Sequence, residues 1–369
     1  MRGEAVTLFL CGDVMLGRGV DQILPHPGDP ELREAYVRDA RAYVELAEAV
    51  NGPIPRPVDP PWPWGEALET LDEAAPDARV LNLETGVTRS DDFAPGKGIH
   101  YRMDPDNLPC LTAVRPDVCV LANNHVLDFG RTGLAETLDA LADAGVAVAG
   151  AGRNADAARR PAAVPLDGGR RLLVFALGTP SSGIPPGWAA TGDRAGVDVV
   201  AEPSRAAAEA VADRVRQIKR PGDVAVVSIH WGPNWGYRVS ADEVRFAHAL
   251  IDGGVDVVHG HSSHHPRPLE AYRDGLVLYG CGDLVNDYEG IAGYERYRDD
   301  LRLLYLVRLD PDGRPTGVRM VPFQARRMRL WHASDEDSRW LRAVLDRACR
   351  DLGTHVDREP DGTLALRWS

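Results

Sequence analysis

The sequence lacks any apolar run of the roughly 20 residues needed to cross a bilayer, which excludes a spanning helix, and no membrane partner is expected. Cysteine is scarce: Cys11, Cys110, Cys119, Cys281 and Cys349 are an odd number without C-x-x-C spacing, a pattern that supports neither a disulfide framework nor a thiolate metal site. Cys11 and Cys119 lie inside apolar runs and read as small core hydrophobes. Positive charge is also short, with 42 Lys and Arg against 55 Asp and Glu and a formal net charge of -13, so a nucleic-acid backbone is not an expected partner. A small anionic substrate stays compatible, because a bound dication dominates its local field. Met1-Arg2-Gly3-Glu4 leads straight into an apolar run without the charged and apolar regions of a signal peptide, and a cytoplasmic address is expected.

What is present is an alternation of strand-length apolar runs with amphipathic stretches, the signature of an α/β fold. Strands are expected near 6–13, 79–84, 117–122, 172–178, 223–230, 255–260, 275–281, 302–309 and 317–323. Helices are expected near 31–50, 66–74, 133–144, 203–219, 240–253 and 335–350; in the third, Leu134, Leu138 and Leu141 repeat at helical spacing and Gly145 follows as a stop. Residues 1–330 are read as one domain, with 331–369 as a helical and strand extension packed on it. Two loops rich in Pro, Gly and Trp, 52–65 and 179–196, are candidates to overhang a site.

Several of these strands end in groups that bind metals. L-F-L-C-G-D ends at Asp13, V-L-N-L-E at Glu84 and C-V-L-A-N-N-H at Asn124 and His125, while S-I-H-W-G and H-G-H-S-S-H-H-P carry His230, His261 and His264. The carboxyl edge of an open α/β sheet is where such folds bind ligands. Carboxylate and amide oxygens mixed with imidazoles suit one or two divalent transition metals, Mn, Zn or Fe, better than Ca or Mg. His125 directly follows Asn124, so the two side chains diverge. That leaves the imidazole beside the metals, placed as a general acid, with Asp128 either orienting it or capping the next helix. Asn123, Trp235, Tyr237 and Cys281 are candidate substrate contacts, and Arg18 a candidate anion clamp, since guanidinium matches phosphate and carboxylate geometry.

Taken in order, Gly12-Asp13-Val14-Met15-Leu16-Gly17-Arg18, Asn82-Leu83-Glu84, the block Ala122 to Gly130, His230-Trp231-Gly232 and Gly260-His261-Ser262-Ser263-His264 resemble the CapA family of poly-γ-glutamate capsule synthesis, whose fold is that of calcineurin-like metallophosphoesterases. The resemblance implies a four-layer α/β/β/α sandwich. It also implies one metal on Asp13, Glu84 and His264 and another on Glu84, Asn124, His230 and His261, with Glu84 bridging. The activity implied is hydrolysis of a phosphoester or a γ-glutamyl amide by metal-activated water, on a small anionic or glutamyl-containing substrate. The alternative is a metal-stabilised accessory or binding protein without catalysis. Met15 departs from the pattern, standing where metallophosphoesterases carry an imidazole; that site is expected to be weak, filled by water, or served by His259 or His265.

Overall fold

A computed structural model describes residues 4–368. The first sheet runs His355–Arg358, Leu364–Arg367, Pro315–Ala325, Leu301–Leu309, Val6–Val14, Ala78–Leu83, Val118–Val120 and Ala147–Ala149, with Asp283–Val285 added beside Val6–Val14. The second runs Leu269–Tyr272, Gly275–Leu278, Val257–His261, Val224–His230, Arg171–Gly178 and Ala162–Pro165.

Alternation along the strands shows how the layers stack. On Arg171–Gly178, Leu172, Val174 and Ala176 enter the same core as Leu8, Leu10 and Val80 of the first sheet. Leu173, Phe175 and Leu177 enter a second core with Val211 and Phe246 of helices Arg205–Ile218 and Ala241–Asp252. Because strand side chains alternate faces, the second sheet is buried between the first sheet and a helical layer. Helices Ala67–Ala74, Gly130–Asp143 and Asp335–Cys349 pack Leu71, Leu134 and Leu341 into the first core. The result is the four-layer α/β/β/α sandwich.

The helix expected over 31–50 begins only at Arg41. Its first half is irregular and bridges Glu31 to Asp39, because Glu34 is drawn inward to Arg18 and Tyr43. Residues beyond 331 do more than lie against the body: Leu364–Arg367 pairs with Pro315–Ala325, so the C-terminal hairpin is part of the first sheet. The 52–65 loop is anchored by Trp64, whose indole N–H donates to the Cys110 carbonyl. The 179–196 loop instead reaches the carboxyl edge, where Ser182 Oγ donates to the His230 carbonyl at 2.9 Å. Among the described residues no helix is long and apolar enough to cross a membrane.

Candidate metal centre

Strand register brings the expected ligands to one level. Asp13 lies opposite Asn82, the strand that carries Asn82 runs on into Glu84, and His230 lies opposite His261 on the second sheet. The sheets are tied at this edge by His259, whose Nε2 lies 2.8 Å from the Cys11 carbonyl. His261 is followed by Ser262 at φ 102°, a strained conformation that turns the Ser262 amide toward Asp13 Oδ2 at 3.2 Å.

Two donor groups result, each with ligand atoms within 4.8 Å of one another: Asp13, His230 and His261, and Asp13, His264 and Asp283. Asp13 therefore holds the shared position expected of Glu84. Glu84 stands just behind, with Oε1 3.7 Å from both His230 Nε2 and His125 Nε2. Asn124 Oδ1 is 2.9 Å from His230 Nε2, and His230 Nδ1 is 2.8 Å from His261 Nδ1.

Sequence reasoning missed Asp283. Its strand pairs in parallel with Val6–Val14, placing it opposite Asp13, and its Oδ1 lies 3.0 Å from His264 Nδ1. A signal was available, since Gly282-Asp283 repeats the Gly12-Asp13 pair at the end of an apolar run. The glycine is required in Gly12-Asp13: a Cβ on Gly12 would sit 1.8 Å from the Gly282 carbonyl oxygen. Neither His259 nor His265 replaces the imidazole absent at Met15. His259 is held by Ser228 and the Cys11 carbonyl, and His265 Nε2 accepts from the Gly236 amide.

The donor chemistry fits a divalent cation. Asp13, Glu84 and Asp283 are all buried, and burial together with Asp283 pushes the Asp13 carboxyl up to about 7. Burial, then Asp13, raises Glu84 well above the carboxylate range. Burial holds His230 and His261 well below their usual range, leaving neutral imidazoles with lone pairs. Crowded buried carboxylates next to neutral imidazoles are costly alone and favourable around a cation.

His125 belongs to neither donor group. Its Nδ1 lies 2.6 Å from Asp128 Oδ2, and its Nε2 faces Glu84. Asp128 does not cap the Gly130–Asp143 helix, whose N-cap is Phe129; its carboxylate instead takes His125, the Tyr101 amide and Lys97. Lys97, a second residue the sequence reading missed, also reaches the Asn124 carbonyl and lies 2.9 Å from His125 Nδ1. Nothing in A-P-G-K-G-I-H marks it, because only folding closes that loop over the edge. Burial outweighs Asp128 and holds His125 down at about 4.

Three expected substrate contacts have other work. Arg18 is buried, forked onto Asp287 and Glu34 and stacked over Tyr43 at 3.8 Å, so its charge is already matched by two carboxylates away from solvent. Asn123 is fully buried and braces the site, bonding Asn82 Oδ1, the Leu83 carbonyl and the His125 amide. Cys281 lies in the core between the sheets, where burial pushes its thiol up. Trp235 does lie at the edge, 5.3 Å from the His264 ring and stacked on Tyr294 at 4.1 Å. Tyr237 follows it, 4.5 Å from His265.

Residues 7–288 match the family described as bacterial capsule synthesis protein PGA_cap. A Mycobacterium tuberculosis protein named "Probable polyglutamine synthesis accessory protein" is 55% identical over 365 residues, covering 98% of this chain and 96% of its own. The PGA biosynthesis protein CapA of Bacillus subtilis is 27% identical over 312 residues, covering 84% of this chain and 70% of its own. Among solved structures, a 5'-nucleotidase precursor from Thermus thermophilus is similar at a TM-score of 0.48 and 16% identity, over 96% of this chain and 61% of that one. With the match spanning every strand that delivers a donor, the chain belongs to the PGA_cap (CapA) family of capsule synthesis proteins.

Proposed function

We propose that this protein is a metal-dependent hydrolase acting on an anionic, glutamyl-containing or phosphoester substrate in capsule-type polymer metabolism. Asp13, His230 and His261, with the Asn124 amide oxygen, would hold one cation, and Asp13, His264 and Asp283 a second. Such ions supply Lewis acidity and acidify water. Asp128 and Lys97 orient His125 so that its Nε2 takes or returns a proton beside Glu84. Trp235 walls the edge next to His264.

The observation that carries the reading is His125, an imidazole held by a carboxylate, aimed at the donor cluster and outside both donor groups. The name of the mycobacterial relative favours a second reading, an accessory protein without catalysis. A purely structural metal site has no use for a braced, uncoordinated imidazole, which favours the hydrolase. The test is reconstitution with Mn, Zn or Fe followed by assay against an aryl phosphate and a γ-glutamyl anilide. Metal-dependent turnover of either supports the hydrolase; a fully metallated protein inert to both leaves the accessory reading.

A further inference from the structure

A groove of about 710 Å³ opens between the Asp335–Cys349 helix and the chain that follows Trp235. Tyr237, Arg238, Arg296, Trp340, Arg347 and Asp351 line it, and the rest of the lining is aliphatic. Its three arginines come from three separate segments, and all three are exposed. Among the described residues none of them has a carboxylate within ion-pair distance, whereas neighbours around the same helix do. Arg339 pairs with Asp335, and Arg342 and Arg350 both pair with Asp346. On a chain of net charge -13, three unpaired guanidiniums around one groove, opposed only by Asp351, form a local positive site.

A chain of packed rings links the groove wall to the metal edge. Trp235 lies 5.3 Å from His264, Tyr297 lies 5.2 Å from Trp235, and Tyr237 lies 5.6 Å from Tyr297. We propose that the groove binds an extended polycarboxylate chain, its carboxylates on Arg238, Arg296 and Arg347 and its stem along Trp340 and Tyr237, and leads one end toward His264. Guanidinium forks match carboxylates, and aromatic and aliphatic walls suit the methylenes between them. Guanidiniums on separate segments fit charges spaced along a flexible chain better than one compact anion. Delivery to the edge rests on the hydrolase reading; binding in the groove does not.

The test uses the full chain and a fluorescent γ-linked glutamate oligomer of about ten residues, followed by anisotropy. Arg238→Gln/Arg296→Gln/Arg347→Gln should bind about tenfold more weakly, the order expected of three partly exposed ion pairs. Arg160→Gln/Arg308→Gln, which removes two exposed arginines outside the groove, should bind like wild type. Melting curves on the same samples confirm folding. Equal affinity in the groove variant overturns the proposal, as does equally tight binding of a polyphosphate of matched charge. Reporter turnover by the wild-type protein is read separately: lost binding in the variant with an inert wild type sustains the groove and sinks the hydrolase, while an active wild type with unchanged binding does the reverse.

Discussion

Asp283 stands opposite Asp13 in the register of two parallel strands, and the two carboxylates share His264 as a neighbour. Burial and the Asp283 charge act together to raise Asp13, so a cation between the two carboxylates would favour its ionised form. Met15 stands where the resemblance to metallophosphoesterases leads one to expect an imidazole, and the fold places a carboxylate on this side from a strand some 270 residues later.

Asp283→Ala should therefore weaken metal retention at one site by about tenfold or more while leaving the His230 and His261 group loaded. Chelator competition with metal analysis reads both. Identical retention in wild type and variant would remove Asp283 from the ligand set.

Gly12→Ala forces a methyl group into the Gly282 carbonyl and should push the Asp283 strand off Asp13. The expected cost is about 1–3 kcal/mol in chemical denaturation, with reduced metal content. A variant as stable and as metal-loaded as wild type would show that the two strands part without consequence.

His125→Ala should lower turnover on a substrate with a poor leaving group by about a hundredfold and leave metal content intact. The loss should shrink with a nitrophenolate, which leaves with little need of a proton. Asp128→Asn and Lys97→Met should act in the same direction, since both side chains hold the His125 ring. Loss of metal from His125→Ala would make the imidazole a ligand.

Away from the centre, Asp223 accepts from the Arg171 guanidinium and from the Arg171 and Arg220 amides. Burial opposes its ionisation, but Arg171 and these amides win and hold the folded-state pKa below the usual value. A depressed carboxyl stabilises the fold above the unfolded value of about 4 and loses that stability as pH falls through the folded value. Asp223→Asn should cost about 1–3 kcal/mol at pH 7 and progressively less below pH ~4. The same cost at both extremes would mean the ionised form carries no advantage.

Much of the fold was legible because long apolar strands carry their own period. Val224–His230 and Leu301–Leu309 lie within a residue of expectation. Short strands such as Ala147–Ala149 and Asp283–Val285 were not, since three residues give no period to read. The helix at 31–50 failed at its start because the buried charge of Arg18 claims Glu34, and local propensity cannot register a partner 16 residues away.

The sequence alone determined the α/β class and the family, and it singled out Asp13, Glu84, Asn124, His230, His261 and His264 as candidate donors, because residue type at a strand end depends only on local order. Which donors meet was decided by the tertiary structure. Parallel pairing set Asp283 against Asp13, and closure of the 95–98 loop brought Lys97 to His125; inward packing buried Arg18, Asn123 and Cys281. The physical reason is that register, loop closure and burial are properties of strands and charges far apart in the chain, and no local pattern encodes the partner.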